Sequence, residues 1–431
     1  MSKKGDSNII AVITMIFLFG MISFVTNLAA PIGNIWKMQP GIEGSNTLGM
    51  MGNMMNFLAY AIMGIPAGNL LKKKGYKFTA LAALLVGLLG VFVQYLSGIV
   101  GVGSTIGKIP TNFFVYLFGA FICGFSVCML NTVVNPMLKL LGGKRSNQYI
   151  QIGGTFNSLM GTLTPMLVGA LIGTLTAQSR IADVNPVLFI AMGVFALAFI
   201  ILLFIPIEDP EAVKSQVKVE NPMNFRHFVY GAIAIFLYVG VEVGIPGTLN
   251  FFLSDSVNGA GLDPAVAVRT AGFVAGTYWF LMLIGRFVSS LISGKVSSRA
   301  QLITVSTVAL ILVLCAMFVP VTSKTSMPAF TGSGFSMVEV PLAALLLVLV
   351  GLCTSVMWGT IFDLAVDGLG ASTNKASGIF MAMVVGGGIL PLLQNFVADK
   401  VGYMPSYWVI IAGMAFIFFF AVAGCKARKK A

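Results

Sequence analysis

Apolar residues run along this chain in stretches of roughly 20 or more, separated by short clusters of charge or turn-forming residues. A helix rises about 1.5 Å per residue, so about 20 such residues cross the hydrocarbon core of a bilayer. The breaks mark out twelve predicted spans. The first six cover 9–35, 47–71, 77–101, 113–138, 148–175 and 186–206. The second six cover 227–253, 267–293, 301–320, 338–366, 376–398 and 404–424. Lys3 and Lys4 precede the first span as they would a signal peptide, but its apolar region is too long for one, and it is read as a retained helix. The pattern predicts an all-α polytopic membrane protein.

Composition agrees. Of 431 residues, 57% are hydrophobic and 9% charged, against about a quarter charged in a soluble domain. A soluble enzyme, a DNA-binding factor and a secreted disulfide scaffold are all excluded. A net charge of +12 would ordinarily suggest nucleic acid. Here the basic residues are read as those that gather on cytoplasmic loops, and no nucleic-acid partner is expected. With the N-terminus inside, nineteen Lys and Arg fall on inner segments and six on outer loops, while Arg286 lies within a span. Both termini are therefore expected in the cytoplasm, and the protein in the inner, cytoplasmic membrane. Cys123, Cys128, Cys315, Cys353 and Cys425 stand singly, and His227 is the sole histidine. No disulfide, metal site or cofactor is expected from them.

One long charged connection, 207–226, divides the chain into halves 1–206 and 227–431. The halves are weakly alike. Leu141-Gly142 and Leu369-Gly370 are 228 residues apart, as are Thr132 and Thr360, and Pro165 and Pro391 hold similar places. Two six-helix halves about an inner linker is a plan that puts a transporter's site at mid-membrane between them. No Gly-x-x-x-x-Gly-Lys-Ser/Thr loop is present to drive an ATP-powered pump. A membrane enzyme would need a catalytic cluster, and a receptor a signalling domain; neither is visible.

Ionisable groups inside a span are expensive and mark function. Glu242 lies near the middle of span seven, with Tyr238 one turn earlier on the same face. Such a carboxyl suits the loading and release of a proton; the alternative is a hydrogen-bonded clamp between helices. Asn27, Asn53, Asn131, Asn135 and Asn157 supply amides that suit sugar hydroxyls, or glue between helices. Tyr278, Trp279 and Trp358 are candidates to stack on a sugar ring, and Tyr238 and Gln394 are further candidates to bind it. Arg286 and Asp363 lie at similar depth towards the inner side and are expected to form a gating ion pair; the alternative is that both snorkel to the interface.

The loop Gly68-Asn69-Leu70-Leu71-Lys72-Lys73-Lys74-Gly75-Tyr76-Lys77 resembles the G-x-L-x-D-R-x-G-R-K loop of the major facilitator superfamily, with Lys72 in place of the acid. Within that superfamily the chain resembles the fucose–galactose–glucose:proton symporters over nearly its whole length. The resemblance is carried by Phe17-Leu18-Phe19, Pro66-Ala67-Gly68, Asn135-Pro136, Thr155-Phe156-Asn157-Ser158, Tyr238-Val239-Gly240-Val241-Glu242, Gly285-Arg286-Phe287 and Gly386-Gly387-Gly388-Ile389. It implies the twelve-helix major facilitator fold and a monomeric carrier importing a monosaccharide such as glucose, galactose or fucose by alternating access. The family's fucose permease has acids in helices one and four where this chain aligns Asn27 and Asn131. Glu242 is then the remaining mid-membrane acid. Proton symport through Glu242 is the favoured expectation; sodium coupling, uncoupled transport and export of another small solute are the alternatives.

Overall fold

The computed structural model of the chain describes residues 2–142, 146–172, 179–205, 221–292, 296–331, 334–369 and 373–426. Among them are twelve helices long and apolar enough to cross a membrane. Spans one to six are Ile9–Trp36, Asn46–Leu71, Lys73–Leu96, Thr111–Val134, Ile152–Ile172 and Ile181–Phe204. Spans seven to twelve are Arg226–Ser254, Pro264–Ser289, Ser298–Phe318, Leu342–Val366, Gly378–Val401 and Tyr403–Gly424. Most of the predicted linker lies outside the described residues. An even number of crossings puts both chain ends on one side, called here the terminal face.

The structure departs from the predicted spans where backbone chemistry overrides hydropathy. Span ten begins at Leu342, because Phe335–Pro341 is a strand, β4, paired antiparallel with Lys324–Phe330, β3. A second, shorter hairpin of β1, Thr105–Ile106, and β2, Ile109–Pro110, joins spans three and four. Spans two and three are two helices that meet at a kink at Gly75, whose φ of 82° is the left-handed conformation glycine adopts without a Cβ penalty.

Two spans are bent within their length. Span one turns at Asn27 and Leu28, where Pro31 has no N–H to offer the Asn27 carbonyl. Span eleven breaks between Met383 and Gly386, and Gly386-Gly387-Gly388 follows at once. There spans eleven and two cross closely: a Cβ on Gly388 would lie 2.8 Å from the Phe57 Cβ.

The same cap occurs once in the first six spans and once in the last six. Lys77, early in span three, donates from Nζ to the carbonyls of Leu203 and Ile205, at 2.9 and 2.8 Å, at the end of span six. Arg299, early in span nine, donates to the carbonyls of Ala421 and Val422, at 3.0 and 2.6 Å, at the end of span twelve. In each set a cation from the third helix neutralises the unpaired carbonyls and negative dipole end of the sixth.

Candidate functional site

A cavity of about 880 Å³ lies between the first six and the last six spans. Spans one, two, four and five present Ser23, Asn27, Tyr60, Asn131 and Asn157 to it. Spans seven, eight and ten present Tyr238, Glu242, Trp279, Arg286 and Trp358. Towards the terminal face it continues past Ser289, Ser298, Gln301 and Asp363.

The amides are held by the protein on one side. Asn27 Nδ2 donates to the Ser23 carbonyl at 2.9 Å, Asn157 Nδ2 to the Phe19 carbonyl at 2.8 Å, and Asn131 Nδ2 to the Tyr60 hydroxyl at 2.6 Å. Fixing the N–H₂ in this way fixes where the amide oxygen points. The oxygens of Asn27 and Asn157 take no hydrogen bond from the described residues. Each is an acceptor ready for a hydroxyl. Trp279 and Trp358 add apolar ring surface, with the Tyr238 ring 6.2 Å from that of Trp358.

Glu242 is the carboxyl at the centre. Its side chain is 13% exposed, and its Oε1 accepts from the Tyr238 hydroxyl at 2.8 Å and from Arg286 Nη2 at 3.5 Å. Arg286 also donates from Nη1 to the Gly154 carbonyl at 3.2 Å and to Ser158 Oγ at 3.0 Å, both in span five. The expected pair of Arg286 with Asp363 does not form in this structure. Arg286 turns towards spans five and seven, and Asp363 Oδ2 accepts from Ser298 Oγ at 2.6 Å. Equal depth in a membrane fixes height, not the direction in which a side chain leaves its helix.

Other expected residues lie elsewhere. Asn53 does not line the cavity: it is 2% exposed and donates to the Gly387 carbonyl at 2.8 Å, across the crossing of spans two and eleven. Gln394 is fully buried beside Gly244 of span seven, also away from the cavity. The side chain of Asn135 lies outside the described residues.

Away from the terminal face the cavity is shut by contacts the sequence did not reveal. Asn34 of span one donates to Asn250 Oδ1 at 2.6 Å and to Ser254 Oγ at 3.2 Å, both in span seven. Lys37, just past span one, is 8% exposed; its Nζ donates to Asn46 Oδ1 and to the Tyr403 hydroxyl, and sits 4.6 Å from the centre of the Phe251 ring. The Tyr403 hydroxyl also donates to Asp255 at 3.1 Å. Burial lowers the Lys37 ammonium from 10.5 to about 8, while Asp255 and Asp399 oppose the shift.

The model of the Major Facilitator Superfamily matches residues 10–390, most of the chain. The chain belongs to the major facilitator superfamily. It is similar to a glucose/galactose transporter of Brucella abortus, 28% identical over 438 residues, covering 99% of this chain and 96% of that protein. It is 24% identical over 398 residues to the L-fucose-proton symporter of Escherichia coli, covering 85% of this chain and 82% of the other. The crystal structure of the E. coli fucose:proton symporter has the same fold, with a TM-score of 0.64 at 20% identity over 96% of this chain and 98% of that one. The chain is a superfamily transporter and not an enzyme.

Proposed function

We propose that this protein carries a hexose-type monosaccharide across the membrane by alternating access, coupled to a proton that travels on Glu242. The observation that carries the reading is the cavity lining. Amides already anchored through their N–H₂ groups face two tryptophans across a space of about 880 Å³. A sugar offers hydroxyls to the first and a flat C–H face to the second. Relatives whose names describe glucose, galactose and fucose transport support the same class.

The two halves, 1–206 and 227–431, are taken to rock about this cavity. The excess of Lys and Arg on the segments at the terminal face supports a cytoplasmic assignment for that face. On that assignment the present arrangement faces inward, and its closed end is the outer gate. Coupling requires that the loaded and the empty carrier both reorient while the half-loaded one does not. Glu242 suits this task because a carboxylate beside Arg286 and its neutral acid differ by a full charge, and the side chain is largely buried.

The test is counterflow of labelled glucose, galactose and fucose in proteoliposomes holding the purified protein. Exchange of at least one, with KM raised roughly tenfold in Asn157→Leu and Trp279→Ala, is expected; about 1.4 kcal/mol, one good hydrogen bond, corresponds to that factor. No exchange of any hexose by a folded wild-type protein contradicts the reading.

A further inference from the structure

We propose that Arg286 is a positioning residue that passes the charge state of Glu242 across to span five, through Ser158 and the Gly154 carbonyl. The inference rests on the reading that Glu242 carries the coupled proton. Its basis is the fork of one guanidinium. Nη2 points at Glu242 in span seven, 3.5 Å away, while Nη1 reaches Ser158 Oγ and the Gly154 carbonyl at 3.0 and 3.2 Å. Arg286 itself belongs to span eight. One cation therefore ties its own half to its neighbour span and to the opposite half at once.

The surroundings leave little else to answer it. Among the described residues lining the cavity, only Glu242, Arg286 and Asp363 carry charge, and Asp363 bonds to Ser298. Span seven also brings the Tyr238 hydroxyl to Glu242 Oε1, while the hydroxyl of Tyr278 in span eight pairs with Thr354 of span ten at 2.9 Å. Span five contributes uncharged Gly154, Asn157 and Ser158. Glu242 Oε1 holds two donors, and Oε2 takes none from the described residues.

Water in the cavity delivers the proton to Oε2. The carboxylate becomes a neutral acid, and the bond from Nη2 loses its charge–charge part. The guanidinium keeps its full charge and settles on the two span-five acceptors. Release of the proton to water restores the carboxylate and draws Arg286 back towards span seven. Each protonation thus weakens the tie within one half and leaves the tie between halves in place. Ser158 is fully buried, so its hydroxyl acts on Arg286 without solvent competing.

Ser158→Ala removes one acceptor on the span-five side and leaves Arg286 more available to Glu242. The ionised carboxylate is then favoured, and more acid is needed to discharge it. In hexose counterflow measured over a pH series, the midpoint for Ser158→Ala should move about half to one unit towards acid. Arg286→Lys, whose single ammonium cannot span the fork, should move the profile and lower the plateau. In a Glu242→Gln background the profile should be flat, and adding Ser158→Ala should leave it flat. An unshifted Ser158→Ala midpoint in a pH-dependent wild type overturns the relay, as does a Ser158→Ala effect that persists without Glu242. Wild-type counterflow independent of pH overturns the reading of Glu242 and the relay with it, and is told apart by the wild type alone.

Discussion

Asp399, near the end of span eleven, caps the first turn of span two through Thr47: its Oδ2 accepts from the Thr47 backbone nitrogen at 2.8 Å and from the Thr47 hydroxyl at 2.6 Å. The same carboxylate accepts from Ser45 Oγ at 3.0 Å and from the Asn46 nitrogen at 2.6 Å. A helix N-terminus presents unpaired N–H groups and a positive dipole end, and a carboxylate there is doubly suited. Here the carboxylate comes from the other half. Opening this end must strip it of all four donors.

Asp399→Asn should therefore favour opening of that end. Losing a charge-assisted cap worth ~1–2 kcal/mol shifts an equilibrium roughly five- to thirtyfold. Spin labels at Glu43 and Val257, both exposed beside the closed end, would report it as a larger population of long distances. An unchanged distance distribution would show that the cap does not hold this end shut.

Asn53 and Pro391 should be energetically coupled. Pro391 has no N–H, so the Gly387 carbonyl four residues earlier loses its helical donor, and Asn53 Nδ2 supplies the replacement at 2.8 Å. Asn53→Leu leaves that buried carbonyl unpaired at a cost of ~1–3 kcal/mol. Pro391→Ala provides an N–H from within the helix. Thermal unfolding of the two single variants and the double should show a smaller loss for Asn53→Leu when Pro391 is also replaced. Strict additivity would refute the arrangement.

Both of these contacts explain what could be seen in the sequence and what could not. The twelve spans and Glu242 were visible because hydropathy and a lone charge in an apolar run are local signals. Asn27, Asn131, Asn157, Trp279 and Trp358 were visible as polar or aromatic groups in spans, and they do line the cavity. Asn53 looked the same, yet its amide serves a carbonyl 334 residues away that a proline had left open. Depth alone pairs Arg286 with Asp363, whereas the direction of Arg286 is set by the packing of spans five, seven and eight. Asp399 gave no signal, because a carboxylate at a span's end is ordinary until the helix it caps is known.

Lys37 should make the closed end pH-sensitive. Its ammonium sits at about 8 when buried there and returns towards 10.5 when opening hydrates it. Below about 8 it is charged in both states, and the cost of burying the charge is fully present. Between 8 and 10.5 the closed form sheds the proton while the open form keeps it, so the closed form gains as pH rises. The same spin-label pair should show fewer long distances across that window, and Lys37→Met should abolish the trend. Opening that increases with pH would contradict the account.

The central claim is that Glu242 ties sugar movement to a proton, and accumulation of labelled hexose in proteoliposomes under an imposed inward proton gradient tests it most directly. The wild type should concentrate the sugar above the outside level and lose that gradient on addition of a protonophore. Glu242→Gln should exchange sugar but only equilibrate it. Accumulation by Glu242→Gln that still collapses with the protonophore would contradict the claim.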